Sequence, residues 1–263
     1  MKKCLSKQYK IEKLKLILTQ IGLLIFLLGF WEFGARVGIF DEFFFSKPSS
    51  IATLFWKYLK SNEIFKHVSI SLLETILGIV IGSAAGILIA TILWSSEKLS
   101  KILEPFLVIL NALPKTALAP IMIIWAGTGV KGIVLVSISI LIIVTVISTY
   151  NYFINIEPEK ILMMKSFRAN KYQIFKKLIF PSNLVNIIGV VKINIGLAWV
   201  GVIVGEFLVS RAGIGYLIMY GGQVFRLDLV MMGVVILSAL AYIMYEIVNF
   251  IEKLLLKKRG KGI

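Results

Sequence analysis

Residues 132–153 read GIVLVSISILIIVTVISTYNYF, 22 positions without one charged side chain. A helix needs about 20 apolar residues to cross ~30 Å of hydrocarbon, so such a run implies a lipid solvent before anything else is known. Lipid offers no partners to backbone N–H and C=O groups, which leaves helices and closed barrels as the spanning structures. The period-two alternation of a barrel strand is absent. The chain therefore reads as all-α, a polytopic transmembrane bundle. Six spans are expected, at Leu14–Gly34, Val68–Trp94, Ile102–Ala126, Gly132–Phe153, Asn183–Leu208 and Asp228–Glu252. No boundary in composition divides residues 1–263, which read as one membrane domain.

The formal net charge is +15. In a soluble chain that excess would point to nucleic acid, but here it follows from topology, because short cytoplasmic loops collect Lys and Arg. With the N-terminus inside, segments 1–13, 95–101, 154–182 and 253–263 carry 18 basic residues, against 8 in 35–67, 127–131 and 209–227. The bias gives an N-in, C-in chain, with Lys253 to Lys261 as a final cytoplasmic tail and no nucleic-acid partner. One cysteine, Cys4, forbids an intrachain disulfide and reads as an incidental thiol. The single histidine, His67, has no Cys or His neighbour and reads as an interfacial residue. No metal site or cofactor is expected.

Four features stand out within and between the spans. In the first outer loop, SKPSSIATLFWKYLK (46–60) places Ile51, Leu54, Phe55, Tyr58 and Leu59 at helical spacing, which predicts an amphipathic helix on the outer face. In span two, Gly78, Gly82, Gly86 and Ala90 fall four apart, a stripe that lets helices approach closely. It serves either internal packing or a face that moves during transport. Span three carries Pro105, Pro114 and Pro120 beside Asn111 and Lys115, and is expected to be kinked or broken. Broken helices at membrane depth survive where they are buried or line a wet cavity, so this span either borders a pathway or is a kinked structural helix. Finally, Glu74, Lys192, Glu206, Asp228 and Glu246 are costly charges in or near spans. Glu206 reads as a member of a structural ion pair or as a gate group, and Glu246 as a group reaching the interface.

The loop 154–182 is too long and too patterned for a plain turn. Glu157-Pro158-Glu159 suits a helix start. EKILMMKSF reads as one short helix, RAN as a break with Asn170 able to take the left-handed conformation, and KYQIFKKLIF as a second helix with Tyr172, Phe175, Leu178 and Ile179 along one side. Such a knob docks a partner or binds anionic headgroups.

That loop resembles the cytoplasmic loop of the inner-membrane permeases of binding-protein-dependent ABC importers. The family motif runs E-A-A, three residues, glycine, and, thirteen residues after the glycine, the proline of an LP pair. Counted back from Pro181, the glycine position falls on Arg168 and the E-A-A positions on Leu162, Met163 and Met164. The spacing matches, although most signature residues do not. Four further segments, SLLETILGIVIGSAAGI (71–87), EPFLVILNALPKTALAPIMIIWAGTG (104–129), GLAWVGVIVGEFL (196–208) and AGIGYLI (212–218), are similar in order to the nitrate/sulfonate/taurine-type permeases, a branch that also has riboflavin and pyrimidine-precursor members.

The resemblance implies a place in the plasma membrane, six helices per chain, a second permease subunit (a homodimer), cytoplasmic ATP-binding subunits, an extracytoplasmic solute-binding protein, and contact with membrane lipid. It implies no catalysis by this chain, which has no Gly-rich Lys/Ser nucleotide motif. Met163, Met164, Phe167, Arg168, Ala169, Asn170, Lys171, Tyr172 and Phe175 would form the ATPase-coupling loop, and Asn111, Pro114, Lys115, Trp199 and Glu206 the pathway or gate. The contrasting reading is a secondary transporter or channel that uses Glu74, Lys192 and Glu206 for ion coupling; a membrane anchor for an ATPase is a third.

Overall fold

The computed structural model describes residues 2–39 and 41–259. Lys261 of the expected tail and the Cys4 side chain lie outside that description. The described residues form helices and connecting turns, with no strand among them. Helix α1 (Lys2–Val37) contains the first span, and α2 (Glu42–Phe45) and α3 (Pro48–Lys60) lie in the loop between it and the next. Helices α4 (Glu63–Ser95), α7 (Val130–Ile154), α11 (Leu184–Val209) and α13 (Leu227–Arg259) are each long and apolar enough to cross a membrane. Between α4 and α7 lie α5 (Glu97–Ala112) and α6 (Lys115–Ala126), which meet at a bend of 97° and count as a sixth span if taken together. The inner loop holds α8 (Pro158–Ser166), α9 (Lys171–Ile174), a π-helical turn over Phe175–Ile179, and α10 (Phe180–Ser182). Helix α12 (Ile214–Gln223) precedes α13.

Span three breaks for a local reason. Leu113, just before Pro114, is extended at φ −64° and ψ 135°, the region a pre-proline residue favours. Pro105 and Pro120 lie inside α5 and α6 and end neither helix. Pro48 in α3 and Pro158 in α8 occupy first-turn positions, where the missing N–H costs nothing.

The chain divides into two compact units, Met1–Ile64 with Ile218–Val234, and Phe65–Leu217 with Val235–Ile263. In the first, α3 buries Ile51 and Leu54 and exposes Trp56, as an amphipathic helix should, with the Lys60 ammonium 5.8 Å from the Trp56 ring centre. Glu32 of α1 accepts from Ser49 N–H at 3.0 Å and Ser49 Oγ at 2.9 Å, which holds the start of α3 against α1.

In the second unit α7 is the central helix. The small-residue stripe of α4 faces it: a Cβ built on Gly82 would overlap Leu141 Cδ1, and one on Gly86 would lie 2.7 Å from Thr145 Cβ. A matching pair on α11, Gly201 and Gly205, packs against Ser137 and Ile133 on α7. Small residues thus bring backbones together on two sides of α7, the way helices associate in lipid. Asn194 of α11 adds a polar tie, donating at 2.8 Å to both Ser83 of α4 and Thr145 of α7. Ala119 and Ile123 of α6 pack with Val136 and Ile140 of α7.

Candidate functional site

The inner loop has two unlike faces. Ile174 and Ile179 are buried with Ala90, Phe153 and Ile187, and Ile161, Met164, Ala169, Phe175 and Leu178 pack against that cluster. Phe175 is its centre: its ring lies 5.2 Å from Trp94 at the end of α4, 5.5 Å edge-on from Phe153 at the end of α7, and 5.9 Å from Phe180. The opposite face is apolar and open. Leu162 and Met163 are exposed there, with Phe167 77% and Tyr172 68% exposed. Tyr172 therefore leaves the side on which Phe175, Leu178 and Ile179 were expected to keep it company.

The turn between the two helical pieces differs from its expectation. Arg168 itself takes the left-handed conformation, at φ 56°. Asn170 is extended, at φ −74° and ψ 168°, because it is the N-cap of α9. Its side chain accepts from Gln173 N–H at 2.8 Å, and the Gln173 side chain accepts from Asn170 N–H at 2.9 Å, a reciprocal capping box. The cap requires extended backbone at 170, so the reversal moves two residues upstream. There Arg168 N–H donates to Lys165 O at 2.8 Å and Ala169 N–H to Met164 O at 3.1 Å. Lys171 is exposed and donates to the Ser95 carbonyl at 2.8 Å.

The pathway candidates do not form one cluster. Asn111 and Pro114 are exposed at the bend between α5 and α6, where Lys115 donates back to Asn111 O at 3.0 Å. Trp199 is buried in α11, and its Nε1 has no hydrogen-bond partner.

Glu206 is buried and, among the described residues, pairs with no cation: it accepts from Ser71 Oγ at 2.5 Å, Gly215 N–H at 2.6 Å and Tyr216 N–H at 3.3 Å. The last two are orphan donors of the first turn of α12, so Glu206 holds the α11–α12 joint from the end of α11. Gly213, at φ 125°, makes this possible, since a Cβ there would run into the Glu206 carboxylate. Gly213 N–H also donates to His67 Nδ1 at 3.0 Å, and the His67 ring stacks on Tyr216. The Glu74 carboxyl faces that of Glu206, and its Oε2 has no partner.

Lys192 pairs with Glu252 of α13 and donates to Asn249 at 3.1 Å. Glu246 accepts weakly from Asn249. Among the described residues no group of three or more His, Cys, Asp or Glu is arranged to hold a metal ion.

Sequence reasoning missed Leu162 as part of the open face, Trp94 as the ring beneath Phe175, and Asn194 as a three-helix tie. Asn194 carried a usable signal, an uncharged polar residue at the centre of an apolar run.

Residues 78–259 match the family described as binding-protein-dependent transport system inner membrane component, and the chain belongs to that family. A Bacillus subtilis (strain 168) permease protein named for aliphatic sulfonates transport is 27% identical over 235 residues, 89% of this chain and 85% of its own length. The riboflavin transport system permease protein of Chloroflexus aurantiacus is 29% identical over 234 residues, 89% of this chain and 87% of its own. The fold is also that of a chain of the MetNI methionine ABC transporter, with a TM-score of 0.55, 16% identity, and coverage of 75% of this chain and 96% of that one. The chain is thus a multi-pass membrane component of a transport system.

Proposed function

We propose that this chain forms the translocation pathway of an importer for a small solute of the sulfonate, taurine, vitamin or pyrimidine-precursor kind, working with a second permease subunit as a homodimer. A solute-binding protein delivers the solute outside, as the family's description fits. Cytoplasmic ATP-binding subunits supply the energy by docking on residues 158–176.

The observation that carries this reading is the division of the loop into a braced face and an open apolar one. A headgroup-binding loop works first through its surface charges, and Phe167 and Leu162 would add to it by insertion among acyl chains. A protein groove takes them as anchors instead: buried aromatic anchors carry most of an interface's energy, and rim charges carry less. Of the three charges that an ion-coupled carrier would use, Lys192 and Glu206 are engaged within the fold, and Glu74 faces Glu206 with one carboxyl oxygen unpartnered.

The test is co-purification of the ATPase with variant chains. Phe167→Ala removes an anchor worth on the order of 2 kcal/mol, about 30-fold in affinity, and is expected to lose the ATPase while the permease still inserts. Lys176→Ala is expected to retain it. The opposite order would favour headgroup binding.

A further inference from the structure

Docking alone does not say where the motion of the loop goes. By chain connectivity it would pass only into α7 and α11, which flank the loop. The side-chain contacts add a third route. Phe175 packs at 5.2 Å, tilted by 41°, against Trp94, the penultimate residue of α4, and Lys171 Nζ holds the carbonyl of Ser95, its last residue, at 2.8 Å. A cation at a helix C-terminus is favoured by both the unpaired carbonyls and the helix dipole. Glu97, in the first turn of α5, attracts the same ammonium.

The corner so gripped is short and stiff. One residue, Ser96, separates α4 from α5, and it is an N-cap whose side chain accepts from Leu99 N–H at 3.3 Å. Ser96 N–H donates to Leu93 O at 3.2 Å and Ser100 N–H to Ser96 O at 3.0 Å, so the turn is bonded on both sides. A displacement of the corner has no slack to absorb it before α5. Helix α5 then leads to the bend at Leu113-Pro114 and into α6.

We infer that Lys171, with the Trp94–Phe175 contact, is a positioning group that ties the coupling loop to the α4–α5 corner and so moves the broken span α5–α6 directly. This rests on the reading that the loop docks an ATPase. Lys171 needs no contact with that partner; it acts through Ser95. The π-helical turn suits the role, because it starts at Phe175 and turns the ring into the corner while Lys171 lies one turn earlier.

The experiment uses the complete complex, purified from native membranes with the ATPase that accompanies it. In a Cys4→Ser chain, spin labels at Lys101 on α5 and Ile124 on α6, both exposed, report the angle of the broken span before and after Mg-ATP. A distance change is expected in the parent and in Lys171→Arg, which keeps the donor. In Lys171→Met the change falls about twofold or more, the scale at which residues outside both ligand sites alter coupling. Trp94→Leu, which lies outside the docking loop, gives a similar loss while retaining the ATPase and its hydrolysis of ATP. Retained ATPase with an undiminished distance change in both variants overturns the route and leaves docking intact. Failure of the parent chain itself to retain an ATPase overturns docking, and the route falls with it.

Discussion

Gly201 of α11 and Ser137 of α7 meet backbone to backbone: a Cβ at position 201 would overlap Ser137 Cα, and Ser137 Oγ donates to Ala198 O at 3.2 Å across the same seam. Gly201→Ala is expected to force the helices apart and cost about 1–3 kcal/mol, the usual range for overpacking. Gly82→Ala is milder, because the atom it meets, Leu141 Cδ1, ends a rotatable side chain. Gly196→Ala, with nothing within 4 Å, is expected to be neutral or to stabilise by up to about 1 kcal/mol through helix propensity. Thermal unfolding of the detergent-purified variants gives the order, and equal loss for Gly201→Ala and Gly196→Ala would refute the seam.

The spans were legible because a 30 Å hydrocarbon layer leaves few options, and expected and observed helices differ mainly at their ends. Helix α4 begins at Glu63 where Val68 was expected, since polar residues beyond the apolar run extend a helix that lipid no longer dictates. The broken span was legible from its prolines, though Pro114 alone marks the break while Pro105 and Pro120 are carried inside helices. What the sequence hid depends on how the chain folds back on itself. Glu206 looked like an ion-pair or gate residue because the donors to its carboxylate, Gly215 and Tyr216 of α12 and the distant Ser71 of α4, become neighbours only in the folded chain. The two faces of the loop were likewise unreadable until Trp94 and Phe153 were seen beneath Phe175.

The turn at Arg168 stores strain. A non-glycine residue in the left-handed region costs on the order of 1 kcal/mol, and a β-branched one more. Arg168→Asn and Arg168→Gly are therefore expected to firm the turn, and Arg168→Val to loosen it. Hydrogen exchange at the amides of Arg168 and Ala169 reads the difference: protection should rise with Gly or Asn and fall with Val. Fastest exchange in the glycine variant would mean that the left-handed backbone is not what limits this turn.

Glu206 satisfies three donors at once, so its loss should be felt beyond one bond. Glu206→Ala strands Gly215 N–H, Tyr216 N–H and Ser71 Oγ in a buried site, at about 1–3 kcal/mol for each group left unpaired. Glu206→Gln keeps one acceptor oxygen and should lose less. Glu74→Gln is expected to be tolerated, because its amide donates to the Glu206 carboxylate it faces. Protein yield and thermal stability check the order Glu74→Gln, Glu206→Gln, Glu206→Ala, and a more harmful change at Glu74 than at Glu206 would contradict it.

Lys192 and Glu252 are partly buried partners on α11 and α13. Breaking such a pair from one side leaves an uncompensated charge, whereas removing both charges is much less harmful. Lys192→Met is expected to destabilise more than the double variant Lys192→Met/Glu252→Gln, with a coupling of about 1 kcal/mol or more in the cycle. Additive losses would mean that the two residues act independently.

The central claim is that the open face of the inner loop is a protein-docking surface. A photo-crosslinking amino acid placed at Phe167, and separately at Phe175, tests it in native membranes. The exposed position 167 is expected to yield an adduct with a cytoplasmic ATP-binding protein, and position 175, turned into the bundle against Trp94 and Phe153, is expected to yield none. Adducts at 167 confined to lipid, or an ATPase adduct at 175 in place of 167, would contradict the account.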